Sequence, residues 1–417
     1  MPGIFFVGPS PSLSMLRISL ASGFLGLSVL LAAPVHAADP LRIGEINSYK
    51  AQPAFLEPYR KAMLLALDEV NAAGGVNGRP LELVIRDDNG VPGDAVRAAE
   101  ELVSRERVAM LAGGFLSNVG LALGDYARQR KVPFLASEPL TDKITWANGN
   151  RYTFRLRPST WMQVSMLVPE AAKLGKKRWA IVYPNYEYGQ SAVQTFKTLL
   201  QAAQPGVEFV TEQATPLGKL DAGPVVQALE ASKPDAIFNV LFATDLTKFV
   251  REGATRGLFK GREVVSLLSG EPEYLEPLKD EAPEGWIVTG YPWYAIKTPE
   301  HQRFLDAYRK KYGEPPRQGS VVGYVTIHAA AEALRRAGGT DPEKIVDAFR
   351  NMPLSSPWGP IVFRAQDNQS TLGAFVGRTA LQGSGAQRTG VMVDFRYADG
   401  ARYQPTDAEV AKLRPAR

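Results

Sequence analysis

Apolar positions along the chain switch between a spacing of two and a spacing of three to four. Residues 41–47 predict a short strand. In residues 56–73, Tyr59, Met63, Leu67 and Val70 fall on one helical face. Gly74-Gly75 ends that helix, because glycine enters the left-handed region without a Cβ penalty. The pattern then predicts a turn at Asn77-Gly78, strands at 80–86, 108–112 and 133–136, and helices at 92–105 and 118–130. After Arg157 it resumes, with helices at 161–174, 190–203, 224–231 and 245–256 and strands at 178–183, 207–214, 236–241 and 263–268. A strand-like segment at 286–291 precedes helices at 299–312, 321–337 and 342–351, and the tail 360–397 is richer in strands and glycine turns. Repeated βα units of this length predict an α/β fold with parallel sheets covered by helices on both faces. The alternation is too long for one sheet and pauses at 148–158, which predicts a domain change there.

The first 37 residues break the pattern. They hold one charge, Arg17, and no acid; an apolar run at 18–31 leads into Ala32-Ala33-Pro34-Val35-His36-Ala37. This predicts a secretory signal peptide cleaved after Ala37, with Met15 a better start than Met1. The run is short of the roughly 20 apolar residues of a membrane span. No cysteine follows the cleavage site, so no lipid anchor is expected. The remainder, 38–417, is expected to be soluble and periplasmic.

Composition narrows the chemistry. There is no cysteine, which removes disulfides, thiolate metal sites and a cysteine nucleophile. Of three histidines, His36 leaves with the signal, and His301 and His328 lie in separate helices, so no metal site is expected. The net charge of +5 is small for 417 residues, and no basic stripe interleaves with aromatics, which argues against nucleic-acid binding. Asp87-Asp88-Asn89-Gly90 lacks the distant glutamate of a calcium loop, and Gly113-Gly114 lacks the spacing of a dinucleotide fingerprint. No cofactor and no enzymatic activity are expected.

In open α/β sheets ligands sit at the carboxyl ends of strands. That singles out the loops at 48–54, 113–118, 136–140, 184–189 and 269–273. The chain also carries, in order, NAAGGVNGRPLEL at 71–83, Phe154-Arg155-Leu156-Arg157-Pro158 before Gln163, AIVYPNYEYGQ at 180–190, EGWIVTG at 284–290 and Gly323-Tyr324 opening a helix. Together these resemble the periplasmic solute-binding proteins of the branched-chain (hydrophobic) amino acid ABC importer family. The resemblance implies the type I periplasmic-binding fold: two Rossmann-like lobes joined by three crossovers, near 152–158, 287–291 and 358–361. The lobes would comprise 38–157 plus 290–358, and 158–289 plus 359–417. It further implies capture of a small molecule by lobe closure, with an inner-membrane permease as partner and a monomeric protein.

Carried over residue by residue, the resemblance assigns Ser117, with the amides of Ser117 and Asn118, to a ligand carboxylate at a helix N-terminus; an N-capping role for Ser117 is the alternative. Ala136 and Ser137 form a second carboxylate contact, where Glu138 departs from the family pattern and would repel an anion unless it points away. Tyr186 and Tyr188 would cover the ligand from the second lobe, or one of them would pack beneath its loop. Phe242 and Ala243 end a strand at a pocket position. Glu271 would pair with a ligand ammonium. Tyr49 would form an aromatic wall, as would Phe115. Lys50 would pair with a ligand carboxylate or with Glu271, or remain solvated.

The expected ligand is a branched-chain or other apolar amino acid. The alternative is an aromatic carboxylic acid, benzoate- or cinnamate-like, suggested by the ring-rich loops. A sensor module of the same fold remains open on sequence alone.

Overall fold

In a computed structural model, which describes residues 39–414, the first sheet is built from the N-terminal βα units. Strand β1 (Leu41–Asn47) leads to helix α1 (Pro53–Ala72), then β2 (Leu81–Asp87), α2 (Pro92–Ser104), β3 (Met110–Gly113), α3 (Ser117–Arg130), β4 (Phe134–Ala136) and β5 (Thr153–Arg155). The five strands lie in the order β2-β1-β3-β4-β5, all parallel. The proposed signal peptide lies outside the described residues.

The chain then enters a second sheet through α4 (Thr160–Lys173), β6 (Arg178–Pro184), α5 (Glu187–Ala203), β7 (Glu208–Thr215), α6 (Ala222–Ala231), β8 (Ala236–Asn239), α7 (Ala243–Arg256), β9 (Glu263–Gly270), the single turn α8 (Pro272–Leu275) and β10 (Ile287–Gly290). It crosses back through residues 291–298 to α9 (Pro299–Tyr312), α10 (Gln318–Ala337) and α11 (Pro342–Phe349), which cover the first sheet. Residues 352–363, where the resemblance placed the third crossover, form the hairpin of β11 (Met352–Ser356) and β12 (Gly359–Phe363). Residues 364–373 then return to the second sheet, which gains β13 (Ala374–Gln382) and β14 (Thr389–Ala398) antiparallel; α12 (Asp407–Leu413) follows. The seven-stranded order is β14-β13-β10-β9-β8-β6-β7.

Both sheets follow from their sequences. The inner strands β3, β4, β6, β8, β9 and β10 are buried on both faces and read as near-continuous apolar runs, as helix-covered parallel strands do, while the edge strands β2, β7 and β14 are only partly buried. Pro53 at the first turn of α1 supplies the fixed φ that helix starts favour. Gly74 (φ +95°) and Gly75 (φ +73°) stop the same helix. Three helices begin before their apolar periodicity does: α5 at Glu187, α7 at Ala243 and α10 at Gln318. Their first turns carry polar or small residues and so escape a hydrophobic count.

Helices α1 and α10 pack backbone to backbone. A Cβ on Gly319 would lie 2.2 Å from the Phe55 carbonyl oxygen, and one on Gly323 would lie 2.1 Å from that of Tyr59. Neither carbonyl can retreat without moving α1. Gly323→Ala is therefore expected to cost about 1 to 3 kcal/mol, the usual range for overpacking. Urea unfolding would measure it.

The outgoing and third crossing segments pair with each other. Arg155 and Gln369 form a parallel bridge, with Arg155 N donating to Asn368 O (3.0 Å) and Ser370 N donating to Arg155 O (2.9 Å). The Arg155 guanidinium is fully buried and donates to Gln369 Oε1, to the Thr141 carbonyl and to Thr145 Oγ1. Among the described residues, no helix is long and apolar enough to cross a membrane.

Candidate ligand-binding site

The carboxyl ends of both sheets face one another, and a small cavity lies between them. The first lobe contributes Phe115, Ser117, Glu138 and Leu140; the second contributes Tyr186, Tyr188, Phe242 and Leu268; Arg157 enters from the outgoing crossing. A wider cleft opens beyond Phe242, bounded by residues 51–54 of one lobe and by Ala243, Asp245 and Glu273 of the other.

The lobes are closed on each other. Thr141 Oγ1 donates to Glu187 Oε1 (2.7 Å), and Lys143 Nζ pairs with Glu187 Oε2 (2.9 Å). On the other side, the buried Glu273 carboxylate accepts the amides of Gln318 (3.0 Å) and Gly319 (2.8 Å) at the N-terminus of α10.

Aromatic rings form most of the wall. Phe242 meets Phe115 across the lobes at 6.3 Å between centroids and meets Tyr188 edge-on at 5.8 Å. Tyr186 and Tyr188 both line the cavity, 6.0 Å apart, with Tyr188 buried and Tyr186 half-buried. The Tyr188 hydroxyl has no partner among the described residues. Burial pushes both phenols well above their ordinary range, so both are neutral donors.

Ser117 is the first residue of α3 and lines the cavity; its predecessor Leu116 stands at the cap without a side-chain bond. The capping alternative is thus not realised. Ser117 Oγ instead accepts the Thr141 amide (3.2 Å). The first amides of α3 have no partner within the helix and favour negative charge. Asn118 is half-buried beside them, with its Oδ1 unpaired. Ala136 and Ser137 are buried beneath the cavity and do not line it. The Ala136 carbonyl accepts the Leu156 amide (3.1 Å), and Ser137 Oγ donates to Glu138 Oε2 (2.6 Å).

Beyond Ala136 and Ser137, four expectations change. Glu271 does not await a ligand ammonium, because Arg157 Nη2 already pairs with its Oε1 at 2.5 Å, both side chains being 3% exposed. Burial raises the Glu271 carboxyl above its ordinary value, and the Arg157 charge opposes that rise. Lys50 is exposed and reaches only Asn89 Oδ1 (3.5 Å). Tyr49 turns into its own lobe, where its hydroxyl donates to Glu45 Oε2 (2.8 Å), and forms no wall. Ala243 faces the outer cleft, at φ 51°.

The residues that sequence reasoning left without a role are Arg157, Leu140 and Leu268, and it noted Glu138 only as a departure that would repel an anion unless it pointed away. Arg157 is the buried cation of the cavity, stacked over Phe55 with its Cζ 5.0 Å from the ring centre. Its Nε has no partner. Glu138 lines the cavity at 1% exposure. Asn47 holds it there: Nδ2 donates to both Glu138 Oε1 (2.8 Å) and Glu45 Oε1 (2.7 Å), while Oδ1 accepts the Phe115 amide (2.7 Å). Burial pushes the Glu138 carboxyl up to about 7, and its bonds with Ser137 and Asn47 and the Arg157 charge limit the rise. The one sequence signal for Glu138 was its departure from the family pattern. Arg157 stood inside a quoted motif, two residues beyond a structural arginine.

Residues 40–385 match the model of a family described as periplasmic binding protein. A Leu/Ile/Val-binding protein homolog 7 of Brucella suis is 29% identical over 350 residues, covering 80% of this chain and 86% of the relative. Among solved structures, a solute-binding protein of an ABC transporter from Rhodopseudomonas palustris, in complex with 3,4-dihydroxybenzoic acid, is 26% identical with a TM-score of 0.76, covering 87% of this chain and 98% of that one. A leucine-, isoleucine-, valine-, threonine- and alanine-binding protein from Brucella ovis, in its closed conformation, shares the fold at 20% identity and a TM-score of 0.77, covering 88% and 97%. With two largely parallel sheets closing on one cavity, the chain belongs to the periplasmic binding protein family, with the type I fold.

Proposed function

We propose that the protein is the substrate-binding component of an ABC importer and captures a small hydrophobic carboxylic acid by lobe closure. The observation that carries this reading is one buried guanidinium, Arg157, facing a cavity walled by rings from both lobes. A carboxylate placed there meets a charged donor, the Ser117 hydroxyl and the amides of α3, in a site of low water content. The apolar body of the ligand fills the space between Phe115, Tyr188 and Phe242. The first reading is a branched-chain or other apolar amino acid, in line with the names of the Brucella relatives. The second is an aromatic carboxylic acid, favoured by the four rings and by the ligand of the Rhodopseudomonas protein.

The proposal includes export by residues 1–37, residence in the periplasm, action as a monomer and delivery to a membrane permease. It also includes two lobes, 38–157 plus 290–363 and 158–289 plus 364–417, the β11–β12 hairpin moving the last boundary from 358 to 363. Ligand contacts are assigned to Phe115, Ser117, Asn118, Tyr186, Tyr188 and Phe242.

A thermal-shift panel of apolar amino acids, their amides and aromatic acids tests the reading. A true ligand at 100 times its Kd adds about 2.7 kcal/mol to stability and raises the midpoint. The amides should have no effect, since they lack the anion that Arg157 needs. A stabilising amide, or a panel without any stabilising acid, would refute the proposal.

A further inference from the structure

The cavity holds two charged side chains, Arg157 and Glu138, and they are not equivalent in what they have already spent. Arg157 is matched by Glu271, which lies outside the cavity wall. Glu138 forms no ion pair among the described residues, and the Arg157 charge acts on it only from across the cavity. Its side-chain bonds come from neutral donors, Asn47 and Ser137, with the Tyr59 hydroxyl beside them. On its far side stands another buried carboxyl, Glu45, sharing the same Asn47 amide. Tyr59 closes the network from α1, its hydroxyl 3.1 Å from Ser137 Oγ. A carboxylate offers about four acceptor positions, and the two bonds to Asn47 and Ser137 leave acceptor capacity at the cavity.

We propose that Glu138 is the specificity-determining acceptor of this site, receiving a proton-donating group carried by the ligand beside its apolar body. The inference rests on the reading of the ligand as a small hydrophobic carboxylic acid, and it moves the partner of a ligand ammonium from Glu271 to Glu138. Arg157 takes the ligand carboxylate; Glu138 takes an ammonium in an amino acid, or a hydroxyl in an aromatic acid. A plain acid offers Glu138 nothing and must bring its anion into a cavity that already contains this carboxyl. Burying an acceptor without a partner is costly, so such ligands are rejected.

Matched pairs test this by isothermal titration calorimetry: leucine against 4-methylpentanoate, and 4-hydroxybenzoate against benzoate. The wild type should prefer the donor-bearing member of one pair by about 10- to 100-fold. Preference within the first pair identifies the ammonium, and within the second the hydroxyl. Glu138→Gln should narrow that preference several-fold. A second measurement needs no variant. Because the Glu138 carboxyl is part-protonated near neutrality, seating a donor on it should release protons, read from the dependence of the binding heat on buffer ionisation. Equal affinity within the pair that binds, an unchanged preference in a folded Glu138→Gln protein, or binding without proton release would each overturn the role of Glu138 alone. Failure of the wild type to bind all four compounds, and every acid of the thermal-shift panel, would overturn the proposed function with it.

Discussion

Arg157→Met is expected to abolish binding of carboxylate ligands and to cost about 3 to 5 kcal/mol of stability, the range for breaking a buried ion pair from one side. The stability loss arises on Glu271. Its Oε2 already lacks a partner, and removal of the guanidinium leaves the whole carboxylate buried and uncompensated. The group would then protonate, at a free-energy cost that grows as pH rises above its raised pKa. Adding Glu271→Gln should recover much of the stability, because the double variant buries no charge there. It should not recover binding, because the anion site is gone. Urea unfolding of the single and double variants, alongside calorimetry, separates the two effects. Recovery of both together would show that Arg157 supports the fold and never meets ligand.

The second large effect belongs to Glu273. This carboxylate lies in the second lobe and accepts two amides at the start of α10 in the first. Hydrogen bonds to a charged group are worth about 1.5 to 3 kcal/mol each, and these two exist only when the lobes are together. Burial raises the Glu273 carboxyl, while the amides it accepts oppose that rise. Glu273→Ala is expected to shift the ligand-free protein towards open forms. Apparent affinity falls with the closed fraction, so at least about a tenfold loss is expected from one or both bonds. Small-angle scattering should show a larger radius for the unliganded variant than for the wild type, and saturating ligand should restore compaction. An unchanged radius with unchanged affinity would mean that the lobes are held by other contacts.

The alternation of strand and helix is legible in the chain because each βα unit buries one apolar face, and that face repeats locally. Crossovers leave fainter marks. The hairpin Met352–Phe363 carries apolar positions compatible with either sheet, and its pairing is visible only in three dimensions. The site is less legible still. Phe115, Ser117, Tyr186, Tyr188 and Phe242 follow strand ends, where the fold class directs attention, and the structure brings them together. Lys50 follows a strand end too, yet its long side chain reaches solvent at low cost. Arg157 and Glu271 stand 114 residues apart, a separation that no local pattern encodes. Glu138 reads as a misplaced charge until Asn47, contributed by another strand, is seen to hold it.

The placement of Arg155 and Arg157 has a mechanical consequence. Successive side chains of an extended chain point to opposite sides and alternate ones to the same side. These two arginines, with Leu156 between them, put the bridge between the crossing segments and the proposed anion site on one short piece of backbone. Arg155 is tied to the returning segment through Gln369, while Arg157 lines the cavity. A shift of either group is therefore passed to the other through two peptide units.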